Sequence, residues 1–251
     1  MEATAVLDAL FRWIHIVAGI IWIGLLYFFN FVNGPFAATM DGPTKQKVVP
    51  ELMPRALFWF RWGAAWTWVT GVLLLLIVFW HGGLMFPAGR GWSLLAVLMI
   101  LVTFFVAALY DVLAKSGWGK DIRLLAGVGW ALAVLVILGY LGASFSYRAY
   151  VIHTGAMFGT IMAFNVWMRI WPAQRQIITA TKQGTAPDPA LVALAGARSR
   201  HNTYLSVPLV WAMINYHTSA FSNVAYLILA IPLGWAAVYL IYNKAATVKG
   251  F

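Results

Sequence analysis

The stretch RWIHIVAGIIWIG, Arg12–Gly24, decides the fold. Apart from Arg12 and His15 it is apolar all round, and with its flanks it runs from Leu7 to Val32. That length exceeds the ~20 residues needed to cross a ~30 Å hydrocarbon core. His15 sits inside the run, one turn beyond Arg12. An imidazole in hydrocarbon is costly unless something pairs with it, so it marks a site to be explained. The rest of the chain repeats the pattern, with 63% hydrophobic and only 10% charged residues. These proportions imply an all-α, polytopic transmembrane helical bundle. A transmembrane barrel would show short alternating segments, and here the apolar runs are continuous. Glu2 and Asp8 stand where a signal peptide carries basic residues, so the first run is expected to be a retained helix.

Hydropathy predicts about seven spans: Leu7–Val32, Leu57–Trp80, Ser93–Leu113, Leu124–Leu141, Ala149–Trp171, Asn202–Tyr216 and Asn223–Tyr242. The sixth is short, and Pro208 is expected to kink it. The spans make one integral membrane domain over residues 1–251, with no internal repeat. Residues 172–200 read as a polar loop with a short surface helix starting at Asp188-Pro189, an acceptor cap followed by proline in the first turn.

The basic residues orient the chain. Lys45, Lys47, Arg55, Arg61, Lys115, Lys120, Arg123, Arg169, Arg175, Lys182, Arg198, Arg200, Lys244 and Lys249 fall on one side, and only Arg12, Arg90 and Arg148 on the other. The positive-inside rule then predicts a periplasmic N-terminus and a cytoplasmic C-terminus in a bacterial inner membrane. The net charge of +10 therefore reflects loops facing the cytoplasm, not a nucleic-acid surface.

There is no cysteine, which excludes disulfides, iron–sulfur clusters, thiolate metal sites and covalent c-type haem. Five histidines remain: His15, His81, His153, His201 and His217. His15 lies ~12 Å into the first span and His153 ~7 Å into the fifth, both measured from the periplasmic side at 1.5 Å per residue. Two imidazoles at comparable depth on different helices suit bis-histidine ligation of a haem b. Arg12 and Arg148 lie just outside them, where propionates would need cations. Gly19 is one turn below His15, Gly155 and Gly159 follow His153, and Met157 could line the plane. The same residues also suit ordinary helix packing, since small-xxx-small spacing lets helices approach and a histidine can bond a neighbour. His81 and His217, near the water, are candidates for a second haem site or simply interfacial residues. His201 reads as a helix-start residue.

All seven acids read as terminal or in loops, Asp111 among them, so no intramembrane carboxylate suggests a proton pump or cation-coupled transporter. There is no phosphate-binding glycine loop, no HExxH and no serine nucleophile elbow.

The segments VIHTGAMFGTIMAFNVWMRIWPAQRQIITATKQGTAPDPAL (151–191) and SRHNTYLSVPLVWAMINYH (199–217) resemble the N-terminal membrane domain of bacterial membrane-bound urate oxidases. LFRWIHIVAGIIWIG (10–24) and LFWFRWGAAWTWVTG (57–71) are similar more loosely. The resemblance spans nearly the whole chain and matches the family at His15, His153, His201 and His217. It implies a membrane redox protein that oxidises urate and passes electrons to a respiratory chain. Without a CxxCH motif here, the acceptor is expected to be a partner: a c-type cytochrome or a quinone. The chain departs from the pattern at NGPFAATMDGPTKQKVVPELMPR (33–55), at Phe58, where relatives carry histidine, and at Gly63, where they carry glutamate. These losses leave a second reading, a non-catalytic membrane subunit that scaffolds a respiratory or photosynthetic complex.

Overall fold

In the computed structural model, which describes residues 2–248, nine α-helices follow one another: α1 (Glu2–Tyr27), α2 (Gly34–Thr39), α3 (Gly42–Leu74), α4 (Leu94–Lys115), α5 (Ile122–Gly142), α6 (Tyr147–Asn165), α7 (Trp171–Lys182), α8 (Pro189–Asn215) and α9 (Val224–Ala245). No strand occurs among the described residues, and Lys249 lies outside them. Short polar side chains set the helix starts by accepting from free N–H groups of the first turn. Asp41 accepts from Thr44 N, Ser93 from Ala96 N, Ser146 from Ala149 N, and Asn223 from Ala225 N.

Three wide π-helical turns, Phe28–Asn33, Leu75–Trp80 and Val166–Ile170, join or extend helices without breaking them. The chain thus forms six helical stretches long and apolar enough to cross a membrane: Ala3–Thr39, Gly42–Trp80, Leu94–Lys115, Ile122–Gly142, Tyr147–Lys182 and Val224–Ala245. It is a multi-pass membrane protein. The seventh expected span belongs to α8, whose 27 residues cover ~40 Å but are too polar to count by hydropathy.

Two loop expectations are corrected. Residues 33–55 are helical apart from Met40 and Asp41, forming α2 and the first turns of α3, so Lys45, Lys47 and Arg55 lie on a helix. Residues 172–200 are not a loop with a short helix either. α7 continues the fifth span to Lys182, and the helix capped by Asp188 runs unbroken through Asn202 to Asn215. A proline at the first turn starts this helix, and nothing in ALVALAGARSRHN stops it.

The layering follows from which helices meet lipid. The most apolar window of the α4 stretch has mean hydropathy 2.4 and is 28% buried, whereas that of the α6–α7 stretch has 1.2 and is 67% buried. The least apolar span is the central one, because its neighbours rather than lipid satisfy its polar groups. Gly155 and Gly159 set its closest approach: an added Cβ would stand 3.1 Å from Ala212 and Met213, and 3.3 Å from Leu209, all on α8. On the other side α1 packs on α3 through Gly63, where a Cβ would lie 3.2 Å from Ala18 O and Trp22 N.

Candidate functional site

His153 projects from the central helix α6 and is fully buried. Rings of Phe79, Trp80, Tyr140 and Phe145 surround it, with centroids 5.1–6.3 Å away. Its Nδ1 lies 2.7 Å from Ala149 O, and the Trp80 indole N–H donates to its Nε2 at 3.0 Å. A carbonyl can only accept and an indole can only donate, so the ring is the neutral Nδ1–H tautomer. Both nitrogens are taken. Ligation of iron by His153 requires the Trp80 bond to open.

His15 is placed differently. It lies on the face of α1 that continues through Ala18, Trp22 and Leu26, three residues buried against the bundle. Its Nδ1–H donates to Thr67 O on α3 at 2.9 Å, with Thr70 Oγ1 at 3.3 Å. Among the described residues no hydrogen-bond partner stands at Nε2. The ring rests on Gly71, where a Cβ would come within 3.0 Å of Cε1. Gly19 faces Thr67, with 3.8 Å of room for a Cβ.

The cations expected beside the histidines gather at one end of the bundle. Arg12 is held by Asp8 at 2.9 Å and donates to Tyr216 Oη at 3.2 Å. Arg148 is exposed, on the first turn of α6, and makes no ion pair among the described residues. His217 lies against Tyr216, ring centroids 3.8 Å apart and planes tilted by 40°. Partial burial, then the charges of Arg12 and Arg148, hold its imidazole below the ordinary value. His81 is exposed, and its backbone N–H closes the wide turn onto Leu76 O. Met157 is buried one turn beyond His153 on α6.

The largest polar constellation was not anticipated. Asp111 is 6% exposed, not a solvated helix end, and its carboxylate binds Arg169, Arg198 and Lys115 together. Arg198 is itself 2% exposed. Next to it Tyr110 Oη lies 2.8 Å from His201 Nδ1, and Asn165 donates to Tyr110 at 3.1 Å and to Asn202 at 2.8 Å. His201 is mid-helix in α8, not at a helix start. One signal was available: a charged residue inside an apolar helix is costly unless paired. Asp111 read as terminal because it falls near the end of the third apolar run, whereas α4 continues past it to Lys115.

The family model described as "Urate oxidase N-terminal" matches residues 40–250. The chain belongs to the urate oxidase N-terminal family. No curated protein and no solved structure matches it. The match covers α3 to α9 and leaves α1, with His15, outside it. Within the urate oxidase N-terminal family the geometry at Gly63 bears on chemistry. Any side chain there would need α1 to give by a few tenths of an ångström, since a Cβ is tight against the Ala18 carbonyl. Phe58 is 44% exposed, with the Arg61 guanidinium 5.6 Å from its ring. At the two positions where the chain departs from the pattern it resembles, Gly63 serves helix packing and Phe58 lies at the surface.

Proposed function

We propose that this member of the urate oxidase N-terminal family is a membrane electron-transfer protein that holds haem b on His15. The observation that supports this is the state of the His15 ring: Nδ1–H fixed on a backbone carbonyl, Nε2 without a partner among the described residues, and glycine beside it. A histidine ligand commonly donates its second N–H to a carbonyl in this way, which fixes its orientation. Bound haem would supply one-electron chemistry. Arg148 is the cation placed to meet a propionate or another anion, because Arg12 is already engaged by Asp8 and Tyr216. His153 fits as a second ligand only with the Trp80 indole displaced. Electrons would pass to or from a c-type cytochrome or a quinone, with the Arg12–Arg148–His217 end facing the periplasm of a bacterial inner membrane.

The Gly63 contact favours a second reading. Gly63 here is a close helix contact and not an acid, so nothing at this position supports urate turnover, and a packed bundle of this kind also suits a scaffold subunit of a larger membrane complex.

A reduced-minus-oxidised spectrum with pyridine haemochrome quantitation separates the two readings. Purified wild type is expected to show a b-type α band that His15→Ala abolishes. A well-folded wild type without haem sinks the redox reading and leaves the scaffold. In Trp80→Phe, haem content rises if His153 ligates iron, and stays constant if His153 only packs.

A further inference from the structure

Two of the three wide turns converge on a cavity that the histidines do not share. Phe29, Asn30 and Asn33 reach it from the first, and Ile170 from the third. It measures about 150 Å³ and lies some 22 Å along the chain axis from His15, at 1.5 Å per residue from position 15 to 30. Wide π turns recur at functional sites, because they aim side chains that a regular helix would turn away.

We infer that this cavity binds a neutral six-membered ring carrying carbonyl oxygens, the head group of a lipid quinone. Size sets the first limit: a cavity of ~150 Å³ takes a single benzene-sized ring. Phe29 and Phe60, edge to face with centroids 5.3 Å apart, give it aromatic walls. Charge sets the second limit. None of its lining residues is charged, so neither an anion nor a cation would be compensated. Hydrogen bonding sets the third. Asn30 donates to Leu26 O and to Ser199 Oγ, both at 2.8 Å, and accepts from Tyr242 at 2.8 Å. Both Asn30 N–H groups are therefore used, one of them to aim Ser199, whose own O–H stays available to donate. Gln174 also lines the cavity and has no hydrogen-bond partner among the described residues. Ser199 and Gln174 thus give the aromatic slot two donors, as many as a quinone ring has carbonyls.

The source of the ring follows from the mouth. Gly196 forms part of the lining and is exposed, with open space around it. Val192, one turn earlier on the same face of α8, is 48% exposed, and Val32, beside Asn33, is 56% exposed. Those apolar flanks suit a hydrocarbon tail running from the ring into lipid. The inference rests on the redox reading for its purpose, and not for its binding.

The test uses the full chain in nanodiscs with a photoreactive azidobenzoquinone bearing a decyl tail, followed by peptide mapping. Label is expected on the segments around Phe29–Asn33 and Ala195–Ser199, displaced by unlabelled decylubiquinone. Gly196→Leu, which fills the mouth at a position with room for it, should weaken labelling at least about tenfold, as should Gln174→Leu with Ser199→Ala. Label spread evenly over lipid-facing helices and unchanged in Gly196→Leu overturns the site. Displacement by urate but not by decylubiquinone overturns the lipid source and makes the ligand an aqueous ring. Specific labelling of a chain that carries no haem overturns the redox reading and leaves the site standing.

Discussion

His153 and Asp111 are both buried polar groups on apolar helices, and they are satisfied in opposite ways. His153 remains neutral, with one bond to its own helix and one to an indole. Asp111 holds a charge against three cations, one of them as buried as any core residue. A neutral imidazole is cheap to keep inside and cheap to release, which suits a group that changes partners. A charge cluster is expensive to break from one side only, which suits a fixed joint between α4, α8 and the turn before α7.

The comparison is broken most directly at the joint. Asp111→Ala leaves Arg198 buried beside Arg169 with no acid between them, and should cost about 3–5 kcal/mol in denaturant unfolding followed by tryptophan fluorescence. Asp111→Leu combined with Arg198→Met should recover most of that loss. A single variant of wild-type stability would show that the cluster is not a joint. At the other region, Trp80→Phe strands His153 Nε2 without a donor and should cost about 1–3 kcal/mol in the same assay. An unchanged midpoint would mean that the imidazole finds another partner.

Gly71→Ala sharpens the comparison further. Its Cβ would press on His15 Cε1, while the helix gains up to about 1 kcal/mol from alanine. Stability should hardly move, but the imidazole ¹⁵N spectrum of His15 should, as its bond to Thr67 O lengthens. The smallest effect concerns His217. Its imidazole is held low by partial burial and by Arg12 and Arg148, so the folded chain binds that proton less readily than the unfolded one. Its contribution to stability is full above the unfolded value of about 6.5 and is lost as pH falls from there towards the folded value. His217→Gln should flatten the pH dependence of the unfolding midpoint below about pH 6.5.

Much of the fold was legible because lipid acts on local sequence. Six of the spans were visible as apolar runs, and caps such as Ser93, Ser146 and Asn223 stand where composition changes. α8 was harder to read, since a helix shielded by neighbours need not be apolar, and hydropathy does not register neighbours. The sites show the same limit. His15 announced itself as an imidazole in hydrocarbon, but its partners Thr67 and Gly71 lie on another helix. Asp111 was misread as terminal, and of its partners only Lys115 is close in sequence. Arg169 and Arg198 arrive from 58 and 87 residues away, and no pattern within α4 foretells them.

The three wide turns carry Asn30 and Asn33, Trp80, and Arg169, polar groups of the three regions described above. Each such turn works as a phase shifter. A regular helix turns about 100° per residue, so the side chains on either side of an extra residue point along two different headings while the axis continues. One long helix can then serve two neighbours that lie on different sides of it. Deleting a single residue from Phe28–Asn33 would restore the regular winding and leave the helix beyond it in place, while Asn30 and Asn33 would lose the headings that bring them to the cavity.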